Sequence, residues 1–566
     1  MEVSNDGESF YHRFAASVLC DDMGQPLYST GPRQQWIQDH WALLHQEANL
    51  KVYQNSKPNS TPSTISAVVI NQASGPRRRE AFEEFFAQLI LDQADLCAQA
   101  RVTSPDSEAE ANTQVIVDLF DRYLRYEGHN DQWMACGRAY FAERVRHFIL
   151  RNIPVQLCIP AFPCKSSNID KVTGTNPDRG EELALERLHG FVEAIERVYA
   201  PGAKLWIISD GHVFSDCIGV DDAAVDEYGA KLKEMNHVIG TRRGNVNRVG
   251  FKSLVDLFEL APIGQSAEHL KELANRLDIP NIEHHIDTKH TDEAELCRRI
   301  LMAACGPSKT AVRTRIESGD PAITALYRGF SRFMLDDLEH HPATQGMSKA
   351  QRKKLSARVA FEMILRNQAY SNLVELVFPN HVRLSIHAHN NAGPKFGIQL
   401  FDPAHVRAVM GLSPDGELMT SLDLLHIPTP WHNSVVQLEG SDVILITKAK
   451  LARASLAAGS MLGGVATTPS GYQYFALRKL DGEGSNNDKG EAKPTSETTS
   501  AVSTPVRSAV EQDKRRARRR GTFSEKADAV VTAVVRRNSA AEPATRDTWL
   551  AKLRWVMLIF WPSSRW

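Results

Sequence analysis

The chain's eight cysteines, Cys20, Cys97, Cys136, Cys158, Cys164, Cys217, Cys297 and Cys305, are scattered and never fall in a C-x-x-C pair. That spacing argues against a zinc ribbon and a disulfide framework, and for a reducing compartment. Charge of one sign is missing too. Lys+Arg is 66 and Asp+Glu is 68, a formal balance of -2. No global field recruits nucleic acid, so any anion binding must come from local clusters. No apolar run approaches the roughly 20 residues of a membrane span, and the stretch from Leu553 to Trp561 is less than half that length. The acidic start, MEVSNDGESFYHRF, has no basic region followed by an apolar one. No signal peptide and a cytoplasmic protein are therefore expected. There is no GxxxxGK[ST] phosphate loop, and no repeat with a period of about 20 to 50 residues is visible.

What is present is an ordinary globular composition, 42% hydrophobic and 24% charged in 566 residues, enough for one large domain or several smaller ones. Phe82, Phe85, Phe86, Leu89 and Ile90 recur at helical spacing, and a second helix is predicted over 138–151. Val155 to Ile159 is a short apolar strand. Pro177-Asp178 then opens a helix with Glu181 and Glu182 in its first turn, and Lys204 to Ser209 is a second strand. This strand–helix–strand order is the βαβ unit of a parallel sheet. Helices are predicted at about 222–236, 266–277, 291–304, 321–339 and 349–376. Strand-like runs return at 382–387, 396–400, 435–438 and 443–446. The predicted class is α/β, a Rossmann-like parallel-sheet core with a helical insertion and extra β-strands. Residues 56–64 read as a linker. Residues 481–566 read as a disordered tail carrying a basic run, Lys514 to Arg520, and a short aromatic terminus.

In parallel sheets, ligands sit beyond the carboxyl ends of the strands. Here those ends carry PAFPCKSSNIDK and SDGHVFSD. In the first, Lys165, Ser166, Asn168 and Lys171 can hold a phosphate or carboxylate, and a shielded lysine can meet a carbonyl. The plainer reading is a solvated βα loop. In the second, Asp210, His212 and Asp216 can position an amine or move a proton. The plainer reading is an Asp-Gly turn with Asp216 as a helix cap. RLSIHAHNN offers Ser385, His387 and His389. The HxH spacing can bind metal, yet no third ligand stands out, and the fragments at His285–Asp287 and His290–Asp292 are common by chance. TPTPWHNS places Trp431 and His432 either against a small organic substrate or as an apolar plug. The basic run is a localisation or membrane signal, or a charged spacer.

These motifs agree in order and spacing. IPAFPCKSSNIDKVTGTNPDRGEELALERL, YAPGAKLWIISDGHVFSD, VRLSIHAHNNAGPKFGIQL and TPWHNS together resemble the pyoverdine/dityrosine biosynthesis family, the isocyanide synthases. The resemblance covers roughly 130 to 450, is fungal in flavour, and extends to the branch with the spore-wall dityrosine protein. It implies a catalytic domain, set at 76–455, with 1–75 a variable segment and 456–480 the domain's end. It implies conversion of an amino acid's α-amine (Tyr, Trp or Val type) to an isonitrile, with ribulose 5-phosphate as co-substrate and carbon donor and no metal or other cofactor. The spore-wall branch implies N-formyl tyrosine instead. The implied partners are the amino acid and sugar phosphate, with a downstream oxygenase or peptide synthetase; neither nucleic acid nor a transmembrane segment is expected. A third reading is a catalytically degenerate interaction protein.

On physical grounds Lys165, Asp210, Asp216 and His387 are the expected catalytic groups. Lys165, with Ser166 and Asn168, would hold the sugar phosphate or its imine, and Lys171 would support them. Asp210 and Asp216 would hold or deprotonate the amine, with His212 a weaker partner. Ser385 and His387 would supply a second acid/base or phosphate group. Lys395, Trp431 and His432 are further substrate-binding expectations.

Overall fold

The computed structural model describes residues 18–20, 50–54, 67–71, 80–93, 104–126, 130–260, 266–378, 380–387, 389–412, 418–420 and 428–479. The linker at 56–64, the tail at 481–566 with its basic run, and most of the 1–75 segment lie outside them. Three short strands, β1 (Val18–Cys20), β2 (Leu50–Gln54) and β3 (Ala67–Asn71), pair antiparallel in the order β1-β3-β2. Helices α1 (Glu80–Gln93), α2 (Asp106–Phe120) and α3 (Arg138–Ile149) follow.

The centre is a five-stranded, all-parallel sheet. It comprises β4 (Val155–Pro160), β5 (Ala203–Ser209), β6 (Val249–Ser253), β7 (Val382–Ser385) and β8 (Lys395–Gly397), in the order β6-β5-β4-β7-β8. Counted from β4 this is 3-2-1-4-5, the Rossmann order. It reverses between β4 and β7, and that reversal is where open α/β sheets leave a crevice at their carboxyl ends. Val155, Leu157, Ile159, Leu205 and Ile207 are all buried, because helices cover both faces and leave neither to water.

Helix α4 (Arg179–Val198) connects β4 to β5. Its N-terminus is closed by a capping box of Asp178 and Glu181. Between β5 and β6 lie α5 (Gly211–Ile218) and α6 (Asp222–Arg243). The expected helical insertion then separates β6 from β7. It comprises α7 (Leu254–Phe258), α8 (Ala267–Arg276), α9 (Asp292–Cys305), α10 (Lys309–Glu317), α11 (Pro321–Asp337) and α12 (Lys349–Val377). No named helix stands between β7 and β8 among the described residues.

The returning β-rich part is a second, mixed sheet. Its strands are β9 (Val406–Leu412), β10 (Leu418–Thr420), β11 (Ser434–Leu438), β12 (Ile444–Thr447), β13 (Met461–Thr467) and β14 (Gln473–Lys479), in the order β10-β9-β12-β11-β14-β13. Helix α13 (Ala449–Ala457) packs on it through Ala449 and Ala452, which share a small apolar core with Val436, Leu445 and Phe475. Among the described residues no helix is long and apolar enough to cross a membrane.

One local expectation is overturned. The DG of SDGHVFSD is not a hairpin-like turn, and Asp216 is not a cap: α5 begins at Gly211 and runs through Asp216. The glycine is required for another reason. A Cβ there would stand 2.3 Å from the Pro163 carbonyl oxygen and 2.5 Å from Val225, so only glycine lets the β4 and β5 exits lie so close. Gly211→Ala is expected to destabilise the chain by about 1–3 kcal/mol, measured by urea unfolding.

Candidate active site

The strand β4 ends in a tight, strained exit. Phe162 takes φ 58, a left-handed conformation costly for an aromatic residue. It is held by packing: its ring lies 5.0 Å from Trp431 and 6.1 Å from Phe251, and its carbonyl accepts the Ser209 hydroxyl at 2.9 Å. Trp431 is buried, so it serves as the apolar plug, and its carbonyl accepts the Ser166 amide at 2.9 Å.

Lys165 follows. Its ammonium lies 2.8 Å from Asp178 Oδ2, 2.8 Å from Glu181 Oε2 and 3.0 Å from the Pro430 carbonyl. Tyr228 donates to the other Glu181 oxygen at 2.9 Å. All of these side chains are buried. Three oxygens for three protons keep Lys165 charged. Two carboxylates around one cation leave excess negative charge, and burial lifts Asp178 to about 7. This geometry gives Lys165 a holding role: it ties the β4 loop to the start of α4 and to the turn before β11.

The rest of the loop is tied to the insertion. Lys171 Nζ pairs with Asp336 and Asp337, each at 2.8 Å, and lies over the Phe333 ring at 4.5 Å. Ser166 donates to Asp337 at 2.9 Å, and the Asn168 amide donates to the Asp336 carbonyl at 2.9 Å.

Asp210 differs from its neighbours. It stands at the carboxyl end of β5, ahead of α5, and makes no capping bond. One oxygen, Oδ1, is buried without a partner. Among the described residues no cation relieves it, and burial pushes its carboxyl up to about 7. Asp216 is the opposite case. It is gripped by both terminal nitrogens of Arg366 on α12, at 2.5 and 2.9 Å, and by His284 Nδ1 at 2.8 Å. Although burial opposes ionisation, the guanidinium and His284 hold its carboxyl well below the usual range. Asp216 thus locks α5 to α12 and is not free to take a proton. His212 is buried, with Nε2 3.1 Å from Asp226 Oδ1.

At the end of β7, the Ser385 hydroxyl accepts the His387 amide at 3.2 Å and meets His389 Nε2 at 2.9 Å. His387 keeps an exposed surface, although the surrounding protein, with Arg125 and Lys395 near, pushes its imidazole down to about 4. Accessible yet encased is the condition of a recess wall, and His387 is neutral there. His432 has the same character. Its Nδ1 is buried without a partner. Burial, with Lys171, Lys448, Lys165 and His387 nearby, drives it far below its ordinary value. Lys395 donates to Ser371 at 2.8 Å, and burial beside Arg383 lowers it to about 7.

The structure therefore gathers Lys165, Lys171, His387 and His432 around the β4–β7 reversal, with Asp210 at the adjoining strand end, and it turns Asp216 away. It also adds two residues that the sequence did not flag. Asn391, with φ 54, bonds Arg125 O, Asp131 and the Gly397 amide and shapes the 386–394 loop. Lys448, just before α13, donates to the His432 carbonyl at 2.7 Å. Its only sequence signal was a lysine directly after an apolar strand.

Among the described residues one group, His284, His290 and Glu295, brings metal-ligand atoms within 4.8 Å of one another. Its bonding is that of an ion-pair network. His284 bridges Asp216 and Glu295, which raise it to about 9. Arg298 donates to His290 Nδ1 at 3.1 Å and also pairs with Asp222 and Glu295. A guanidinium and an imidazolium in the first contact layer repel a cation.

The family model of the pyoverdine/dityrosine biosynthesis protein matches residues 145–459. The spore wall maturation protein DIT1 of Saccharomyces cerevisiae is 41% identical over 382 residues, 67% of this chain and 69% of that protein. The isocyanide synthase xanB of Aspergillus fumigatus is 33% identical, over 61% of this chain and 40% of its own. The L-tryptophan isonitrile synthase AmbI2 of Fischerella ambigua is 30% identical, over 55% of this chain and 76% of its own. The chain belongs to the pyoverdine/dityrosine biosynthesis family.

Two outcomes are expected. Lys165→Met strands two buried carboxylates and lowers stability by about 3–5 kcal/mol in urea unfolding. Asp210→Asn does the reverse at alkaline pH. Unfolded, the carboxyl ionises near the ordinary aspartate value of 3.8; folded, it ionises only near 7. Stability is thus lost as pH rises through that window. The variant is expected to exceed the wild type by on the order of 1–3 kcal/mol at about pH 8 and to match it near pH 4.

Proposed function

We propose that this member of the family is an isocyanide synthase. It would convert the α-amine of a free amino acid to an isonitrile, taking the carbon from the ketone of ribulose 5-phosphate. The observation that carries the reading is Asp210: an unpaired carboxyl at a strand end, poised near neutral pH. The chemistry asks for such a group. An amine attacks a ketone only when it is neutral, and the resulting imine must then lose protons before the carbon fragment separates. A base titrating near 7 serves both steps.

In this reading Asp210 accepts the proton of the substrate ammonium. Neutral His387, with Ser385 behind it, is the second acid/base group across the crevice. Lys165, Lys171, Ser166 and Asn168 hold the loop that walls the site, and Lys395 supplies positive charge near the β7–β8 loop. Product passes to a downstream oxygenase or peptide synthetase. A second reading ends at the N-formyl amino acid, the hydrated form of the same product. It is favoured by the extent of likeness to the spore wall maturation protein.

Purified protein is incubated with ribulose 5-phosphate and the twenty amino acids and followed by mass spectrometry. An amino acid that gains one carbon and loses two hydrogens, and is consumed by a tetrazine probe, is the expected result. A product heavier than this by one water selects the formyl reading. Absence of product beside an active isonitrile synthase control overturns both and returns the chain to the non-catalytic reading.

A further inference from the structure

The lysines of the site are not equivalent. Lys165 has two carboxylates and Lys171 has two. Among the described residues Lys448 has no carboxylate within ion-pair distance. Among those residues its one bond, to the His432 carbonyl at 2.7 Å, leaves two ammonium protons uncommitted. The placement is built, not incidental. The Ala449 amide donates to the Lys171 carbonyl at 3.1 Å and the Lys450 amide to the Asp170 carbonyl at 2.9 Å. These bonds pin the start of α13 to the β4 loop and set Lys448 beside Lys171. His432, whose carbonyl takes the Lys448 bond, stands in the same neighbourhood with its ring packed on Phe333 at 4.9 Å and its Nδ1 buried without a partner.

We propose that Lys448 and His432 Nε2 form the subsite for the phosphate of the sugar-phosphate co-substrate. The proposal rests on the reading above that a ketose phosphate is the donor. An unmatched cation beside a neutral imidazole that can donate N–H is the complement of a phosphate dianion. Lys165 and Lys171, already neutralised by carboxylates, are the scaffold of that subsite and not its ligands. The groups facing Lys448 are Lys171 of the loop, Asp336 and Asp337 at the end of α11, and Lys450 of its own helix. Burial first, and then Lys171, bring its ammonium down to about 7 against the pull of the two aspartates. Binding a dianion restores the proton, so affinity is coupled to pH.

The test is binding of inorganic phosphate and of ribulose 5-phosphate, by calorimetry, to wild type, Lys448→Met and Lys448→Arg. Wild-type affinity is expected to fall toward tenfold per pH unit above about 7. Lys448→Met is expected to weaken both ligands by about 10- to 100-fold at pH 7 while leaving amino-acid binding unchanged. Lys448→Arg, charged at every pH used, is expected to keep affinity and flatten the alkaline decline. In turnover, Lys448→Met raises KM for the ketose phosphate far more than it lowers kcat. Unchanged phosphate affinity in Lys448→Met overturns the proposal, as does a borohydride-trapped ketose adduct on Lys448. If ribulose 5-phosphate is turned over with Lys448→Met leaving its KM alone, the donor reading stands and the subsite falls. If no isonitrile forms yet phosphate binding depends on Lys448, the subsite stands and the donor reading falls.

Discussion

The site hangs on one buried ammonium. Lys165 is reached from three directions: by Asp178 at the cap of α4, by Glu181 in its first turn, and by the Pro430 carbonyl from the turn before β11. Without that contact the β4 loop has no reason to fold back over the carboxyl edge. Trp431 would then not lie on Phe162, and the turn bearing His432 would not face the crevice. A buried charge with its partners in place is only modestly stabilising in itself. Its specificity comes from the high cost of any arrangement that strands one member. The second such lock, Asp216 with Arg366 and His284, fixes α5 against the insertion. It thereby holds Asp210, one residue ahead of that helix, at the end of β5.

The two locks explain a division of labour among similar residues. Carboxylates and lysines that are paired hold loops. Asp210, Lys395 and Lys448, which have no ion-pair partner among the described residues, are brought near neutrality because burial disfavours their charged forms; the paired Asp178 is lifted there too, by burial that Lys165 only partly offsets. Burial first, and then the neighbouring cations, keep the histidines in the recess neutral. The site thus combines a base, neutral imidazoles and a cation, with the sheet's strand-order reversal bringing them together.

Much of this was legible in the sequence. The Pro177-Asp178 start with Glu181 and Glu182 marked α4, and the runs at 155–159 and 204–209 marked its flanking strands. The polar stretches after them pointed to the carboxyl edge. What was not legible depended on distance. Asp216 and Asp210 are alike in sequence, and Arg366, arriving from a helix 150 residues away, and His284 separate the holder from the free acid. The Asp-Gly pair suggested a turn because the Pro163 carbonyl that demands the glycine lies on another strand's exit. Lys448 carried no motif, since its meaning comes from Lys171 and His432 beside it. The expectation that Lys165 reacts was reasonable for a lysine after a strand. Asp178 and Glu181 recast it, and both doubled as an evident capping box.

The central claim is that an acid–base site poised near neutrality runs amine chemistry at the strand-order reversal. The pH dependence of kcat/KM for isonitrile formation tests it most directly. An acid limb with an apparent pKa near 7, absent from the residual activity of Asp210→Asn, is the predicted result. A rate that stays level from about pH 5.5 to 8, or an acid limb that persists unchanged in that variant, would contradict it.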